Sequence, residues 1–446
     1  MTDEAIAPEP TGTFASLHIA SYRRLWFAGV CSFGAVPMLG IARGFLAFEL
    51  TGSNGALGLT LLAMGVPMLL MTPIGGVAAD RFAKRSVLLV ATTLLLVSAV
   101  GIWAALATDR LEFWMLLVSA FAQGTAFSLI APARMAFSFE LVGRERLGNA
   151  ILLAQISMNG TRVIGPAVAG AFLGVTWLGA QTVYLTAIVL LSLSFMLAAR
   201  LPPGAPTPGR VRQSPVAEMV VGLRYVRSEP AVLWPVVMGI VVVATAFPYV
   251  AFLPSLVDDI FAATPGWLGA LSAVGAIGAV SASLLIARLG SDRFGDRAVS
   301  LIAAAFGATV LVLGITPNIA LALVVVLVAG GANAGFQALN NSLVLLRSDD
   351  EYHGRVQSLL MLGFSAFGIF AAPLGALADA IGLRTTLVAM GLTAIAAVAV
   401  IHAAIVRSRP PVDASGTPGG DDAPVVEHTR SSTVPATPEA NTPGTR

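Results

Sequence analysis

The chain has 446 residues, of which 56% are hydrophobic and 11% charged, and a mean hydropathy of +0.84, so its apolar surface exceeds what one soluble core buries. Lipid is the expected solvent for much of it, which excludes a soluble globular protein. A net charge of +2 decides little, because in a membrane chain the position of each charge matters more than the sum, and a single cysteine, Cys31, excludes an internal disulfide framework or a multi-cysteine metal site.

Residues 1–20 read as a cytoplasmic tail: Asp3, Glu4 and Glu9 stand where a leader would be basic, and no cleaved signal peptide is expected. Twelve apolar stretches follow, at 23–48, 56–79, 86–107, 112–138, 148–174, 177–199, 231–257, 267–289, 298–316, 319–346, 356–381 and 383–406. A bilayer core about 30 Å thick needs roughly 20 apolar residues per helix, and these runs are continuous, not alternating, so helices and not barrel strands are implied. The expected fold class is an all-α membrane protein with twelve transmembrane helices in two six-helix bundles, 21–200 and 231–407. Between them, 201–230 opens with Pro202-Pro203-Gly204-Ala205-Pro206 and continues as Glu218-Met219-Val220-Val221-Gly222-Leu223-Arg224-Tyr225-Val226-Arg227, which suits an amphipathic surface helix. Residues 408–446 turn to Pro, Thr, Ser, Gly and Asp and read as a disordered tail.

Basic residues orient the spans. Arg23 and Arg24, Arg81, Lys84 and Arg85, Arg144 and Arg146, Arg288, Arg293 and Arg297, Arg347 and Arg355 all fall on one side, joined by Arg210, Arg212, Arg224, Arg227, Arg407 and Arg409. The opposite loops offer Arg110 and Arg384. The basic side is expected to be the cytoplasm, with both termini inside.

Two landmarks repeat. Asp80-Arg81-Phe82-Ala83-Lys84-Arg85 closes the second span and Asp292-Arg293-Phe294-Gly295-Asp296-Arg297 the eighth, 212 residues later (292 − 80). Gly165-Pro166 in the fifth span and Ala372-Pro373 in the eleventh lie 207 apart (373 − 166). Duplication of a six-helix unit explains both, and such repeats are the usual architecture of secondary transporters.

Gly75-Gly76-Val77-Ala78-Ala79-Asp80-Arg81-Phe82-Ala83-Lys84-Arg85 resembles the signature loop of the major facilitator superfamily, and the likeness extends from Ser21 to Arg407. Tyr22-Arg23-Arg24-Leu25-Trp26, Glu49-Leu50-Thr51-Gly52-Ser53, Arg162-Val163-Ile164-Gly165-Pro166 and Gly222-Leu223-Arg224-Tyr225-Val226-Arg227 are similar to the branch holding enterobactin-type siderophore exporters and macrolide efflux proteins. Gly170 follows the Gly165-Pro166 pair after three residues, where the drug–proton antiporter pattern has paired glycines sooner, and so departs from that pattern. The resemblance implies a monomeric secondary transporter of a bacterial inner membrane, not an enzyme, exporting a drug, macrolide or siderophore with protons as partner. A solute importer on the same fold and a non-transporting receptor or scaffold remain the alternatives.

By the same resemblance Gly75, Gly76, Asp80, Arg81, Lys84, Arg85, Gly165, Pro166, Asp292 and Arg293 form the conformational switch. Gly75 and Gly76 are expected against the eleventh span and the basic residues on lipid phosphates or carboxylates such as Glu140. Substrate-binding candidates are Arg43, Gln123, Gln155, Asn159, Arg162, Asn333, Gln337 and Asn340. Gln155, Asn159 and Arg162 share one helical face, Asn333, Gln337 and Asn340 another, and Gln123, Phe127 and Arg134 a third. A charge at the bilayer centre costs roughly 2.5–3.5 kcal/mol, so Arg43 and Arg162 are expected to face protein or a wet cavity, as ligand contacts or as ion pairs with Glu49, Glu112, Asp258 or Asp379. Arg134, near a span end, is expected to snorkel.

Glu49, Asp258, Asp259 and Asp379 are weak candidates for a protonation site, since no carboxylate falls at the middle of a span. His18, His353, His402 and His428 are scattered, so no metal is expected, and with Lys84 the sole lysine a nucleotide-phosphate loop cannot form. No cofactor is expected.

Overall fold

Backbone N–H and C=O groups in lipid must be satisfied within their own segment, which leaves the helix as the solution for continuous apolar runs. The computed structural model describes residues 15–143, 146–175, 178–204, 215–264, 266–290, 293–349 and 351–407, and all regular structure among them is helical. After a short 3₁₀ turn, Ala15–His18, come α1 Ala20–Thr51, α2 Asn54–Arg81, α3 Lys84–Ala107, α4 Phe113–Val142, α5 Leu147–Leu173 and α6 Gly179–Ala199. Helix α7, Pro215–Ser228, occupies the central connection. Then follow α8 Pro230–Thr245, the short α9 Leu253–Ser255, α10 Gly266–Leu289, α11 Asp296–Ile315, α12 Ile319–Arg347, α13 His353–Ile381 and α14 Leu383–Arg407.

Local chemistry marks the turns. Gly52 closes α1 with φ of 60°, and Ser53 then caps α2, its hydroxyl accepting from Ala56 N at 3.2 Å. Asn318 caps α12 in the same way, accepting from Leu321 N at 2.9 Å.

Ten segments are long and apolar enough to cross a membrane: α1, α2, α3, α4, α6, Pro230–Ile260, α10, α11, α12 and α14. Helices α5 and α13 run for 27 and 29 residues, and their apolar stretches among the described residues are shorter, Leu147–Met158 with Ile164–Leu173 and Ser365–Ile381. The expected single helix over 231–257 is broken. α8 stops at Thr245, a 3₁₀ turn spans Phe247–Phe252, and after α9 the chain takes a π-helical turn, Leu256–Ile260. Pro248 and Pro254 supply no backbone N–H there, so the α-helical ladder cannot run through them.

Packing pairs recur in the same order along the chain. α1 lies on α5 and α6, α2 on α4, and α3 on α4 and α6; likewise α8 lies on α13 and α14, α10 on α12, and α11 on α12 and α14. The two groups meet through α2 on α13 and α5 on α10. Large apolar side chains stay exposed on α3 (Val90, Val97), α6 (Val189, Met196), α11 (Leu301, Ile315) and α14 (Leu392, Val400), none of which takes part in that meeting.

Candidate functional site

The ends of the helices that carry the 52–53 turn are called upper here, and those carrying Arg81 and Lys84 basic. Near the upper end the two groups touch backbone to backbone. A Cβ on Gly58 would overlap the Ala371 carbonyl, one on Gly65 would come 3.0 Å from the Cα of Gly368, and one on Gly170 would overlap the Cα of Gly269. Gly174 meets Gly266 in the same manner. Only residues without a side chain let helices approach so closely. Beside this seam the Asp379 carboxylate of α13 reaches across to the first turn of α2: it accepts from Ser53 Oγ (2.6 Å), Asn54 N (2.7 Å) and Gly55 N (2.8 Å). An anion at a helix N-terminus, taking two orphan N–H groups, is favoured by the helix dipole as well as by the hydrogen bonds. Asp379 is thus a clasp between the groups and not a partner of Arg43.

The expected place of Gly75 and Gly76 is corrected. Gly75 lies under the Ser128 carbonyl of α4, within its own group, and a Cβ on Gly76 would meet nothing within 4 Å. α2 does pack on α13, but through Gly58 and Gly65, about three to five turns earlier. Gly165 abuts the Gly34 carbonyl and Pro37 of α1, so the proline-flanked step of α5 is a tight helix contact.

Arg43 is buried, 2% exposed, and its Nη2 donates to Gln123 Oε1 of α4, while Gln123 Nε2 donates to the Val36 carbonyl at 3.0 Å. The Tyr184 phenol of α6 lies near the same guanidinium. Two expected ligand contacts therefore bond to each other inside one helix group. Glu112, another expected partner, instead accepts from Trp114 Nε1 at 2.7 Å, and Asp259 from Ser255 Oγ at 2.9 Å.

Arg134 does not snorkel. Its guanidinium lies flat against Gly29 of α1, where a Cβ would overlap it, with Cζ 4.6 Å from the centre of the Phe33 ring. Nη1 is buried without a hydrogen-bond partner. The absence of a side chain at Gly29 leaves room for the guanidinium against α1.

Gln155, Asn159 and Arg162 lie on α5, but their side chains fall outside the described residues, as does Asp292. On α12, Gln337 Nε2 donates to Asn333 Oδ1 at 3.0 Å, and both residues are half-buried. Asn340 departs from the expected stripe. It is 4% exposed and packs among Pro235 and Met238 of α8, Val299 of α11 and Ile405 of α14, its Nδ2 2.9 Å from where a Gly239 Cβ would stand. The α-helical period places it on the face with Asn333, but the closeness of α8 at glycine closes that end of the face.

At the basic end Lys84 Nζ pairs with Glu140 at 2.9 Å, Lys84 being 4% exposed. Arg85 N donates to the Pro203 carbonyl (3.2 Å) and its Nη1 to Leu201 O (3.1 Å), so this residue holds the start of the central connection. Arg81 and Arg293 are exposed, and Asp80 is half-buried. In the second group Arg347 Nη1 pairs with Asp296 at 2.8 Å. Helix α7 docks on the second group: Tyr225 and Tyr352 stack at 4.0 Å within 2° of parallel, and Asp349 N donates to the Tyr225 hydroxyl at 2.9 Å. Burial there raises the Tyr225 phenol above its ordinary pKa. The Tyr22–Trp26 motif is structural, Tyr22 Oη donating to Ala150 O (2.7 Å) and Trp26 Nε1 to Leu153 O (2.8 Å), which fixes α1 to the start of α5.

A family model described as transmembrane secretion effector matches residues 11–425. The chain belongs to that family. It is a transporter of the major facilitator superfamily, a multi-pass membrane protein whose family transports and does not catalyse. It is 27% identical over 218 residues to proteins named enterobactin exporter from Shigella boydii serotype 18 and Escherichia coli O157:H7, covering 48% of this chain and 50% of theirs. The matched part thus spans about half the length of those curated relatives. Among solved structures, a bacterial homolog of the human lysosomal transporter Spinster, inward-facing and unoccupied, superposes with a TM-score of 0.70 at 13% identity over 88% of this chain and 98% of that one. The nucleoside transporter NupG gives 0.65 at 16% identity, covering 86% and 99%. Both likenesses concern the fold alone.

Proposed function

We propose that the transmembrane secretion effector chain is a proton-coupled exporter working by alternating access: twelve spans form two duplicated six-helix bundles that rock about a central path. Both termini lie in the cytoplasm of a bacterial cell, the protein sits in the inner membrane, and a monomer suffices. The observation that carries this reading is where the bundles touch. The glycine contacts and the Asp379 clasp run from the upper ends, taken as periplasmic, to about mid-helix at Gly65 and Gly368, which leaves the basic ends to part. The repeated packing order supports the duplication, and so does the pairing of Lys84 with Glu140 and of Asp296 with Arg347. Lys84 and Asp296 lie 212 residues apart (296 − 84), Glu140 and Arg347 207 (347 − 140), the offsets of the two sequence landmarks.

The cargo is an amphipathic or anionic small molecule of the siderophore or macrolide class, a reading supported by the curated relatives named for enterobactin export. Gln155, Asn159, Arg162, Asn333 and Gln337 are proposed to line the path, with Asp80, Arg81, Lys84, Arg85, Asp292 and Arg293 controlling closure of its cytoplasmic mouth. Everted vesicles energised to be acidic inside test this: they are expected to accumulate such a substrate, and accumulation driven by the opposite gradient would establish import instead. Arg162→Ala is expected to abolish the flux.

A further inference from the structure

Within the first bundle one charge has no protein counterpart. Arg134 sits on a membrane-spanning helix, Nη1 is buried with no acceptor, and no described residue forms an ion pair or hydrogen bond with the guanidinium. Its contacts are the bare backbone at Gly29, the Phe33 ring at 4.6 Å and the neighbouring Tyr22 phenol. Arg134 as a residue is half-buried, but taking even one guanidinium N–H from water costs free energy that only an acceptor or counter-anion repays, and among the described residues Nη1 has neither. The Tyr22 hydroxyl donates to Ala150 O, and no hydrogen bond joins it to the guanidinium.

The surroundings favour a particular shape of anion. Phe127 of α4 stands 6.5 Å from Phe33 and tilted to it, so two rings line the seam next to the charge. A small void lies along the same seam, bounded by Ser32, Phe33, Val36, Leu95, Phe127, Ile130 and the Gln123 that holds Arg43. Guanidinium donors at one end with ring faces alongside recognise a planar group that carries negative charge.

We propose that Arg134, with Phe33 and Phe127, is a subsite for an anionic aromatic group of the cargo, a carboxylate or acidic phenolate on a ring. This rests on the transporter reading above and names the chemistry its cargo must carry. The buried charge is destabilising in the empty protein and is compensated when the anion arrives, so the affinity of the site comes from an unmet electrostatic demand.

The test uses the full chain in nanodiscs of phosphatidylcholine, with 2-naphthoate as probe and 2-naphthylmethylammonium as its charge-reversed control, reading thermal midpoint and affinity. Naphthoate is expected to raise the wild-type midpoint and the ammonium to leave it unchanged. Arg134→Met is expected to unfold at a higher temperature than wild type without ligand, and to bind naphthoate roughly tenfold or more weakly. Phe33→Leu, which keeps the charge, is expected to weaken naphthoate roughly threefold. The assignment is overturned if Arg134→Met unfolds earlier than wild type without ligand, as a structural arginine would. Unchanged naphthoate binding in that variant, or equal stabilisation by the ammonium, also overturns it. So does displacement of naphthoate on adding phosphatidylglycerol, which would give the guanidinium to a lipid headgroup. Naphthoate binding requires no turnover, so vesicles that fail to transport would count against the export reading while leaving this one standing.

Discussion

The two helix groups, the proposed bundles, carry the same ion pair with its charges exchanged. In the first, Lys84 opens α3 and Glu140 stands near the end of α4; in the second, Asp296 opens α11 and Arg347 ends α12. A helix N-terminus favours an anion and a C-terminus a cation, so the second bundle's pair agrees with both dipoles and the first bundle's opposes both. The same contrast runs through the interiors. Among the described residues the first group buries Arg43 against a neutral glutamine and leaves Nη1 of the half-buried Arg134 without an acceptor, whereas the buried charge of the second, Asp296, has its arginine. One scaffold thus serves two electrostatic purposes: the second bundle is compensated, and the first holds positive charge in reserve.

Where the bundles meet they should behave as equals, and the largest effect is expected there. Gly170→Val and Gly269→Val each place a side chain on opposing backbone. Overpacking of about 1–3 kcal/mol falls on the upper-closed state, so both variants should insert normally and lose nearly all flux in vesicles. A large difference between them would show that the seam is not shared.

Next come the exchanged pairs, where the bundles should differ. Glu140→Ala removes the carboxylate beside a buried lysine that the α3 dipole already disfavours, and should cost about 2–3 kcal/mol. Arg347→Ala leaves Asp296 at a favourable N-terminus and should cost only about 1 kcal/mol. Thermal unfolding of both variants in the same lipid ranks them, and the reverse order would refute the dipole account.

A smaller shift is expected at the clasp. Asp379 is exposed, so replacing it with Asn should weaken upper closure by about 1 kcal/mol, roughly fivefold in the closed-to-open ratio. Spin-label distances across the upper ends should report the shift. The least effect belongs to Tyr225→Ala, which removes the stack on Tyr352. It should speed trypsin cleavage after Arg224 and Arg227 while changing flux less than about twofold.

Most span positions and the helix of the central connection were legible in the sequence because lipid imposes one pattern on every crossing, and ten segments carry it with small shifts at the ends. The break after Thr245 was less visible, since Pro248 and Pro254 sit in a run whose hydropathy does not change. Site residues were harder to read. A helical face can be computed from spacing, which joins Asn340 to Asn333, but not which neighbour covers it, and Gly239 covers Asn340. Arg43 was singled out by its cost in the membrane, yet its partner proved neutral, a choice that no pairing of opposite charges suggests. Arg134 lay near a span end, and the signal that it turns inward, a glycine at position 29 on another helix, carries no mark in the sequence. Asp379 looked like an acid near a loop; Ser53, Asn54 and Gly55 receive it only because α2 and α13 adjoin.

The rocking of the two bundles is tested most directly by paired spin-label distances in a chain whose buried Cys31 is replaced by alanine. One pair, at Leu50 and Ile381, reports the upper ends, and the other, at Phe82 and Leu346, the basic ends; all four side chains are exposed. Introducing Asp379→Asn should add a longer component to the upper pair and a shorter one to the basic pair in the same proportion. Upper distances that lengthen while the basic pair stays fixed, or no response in either, would contradict the account.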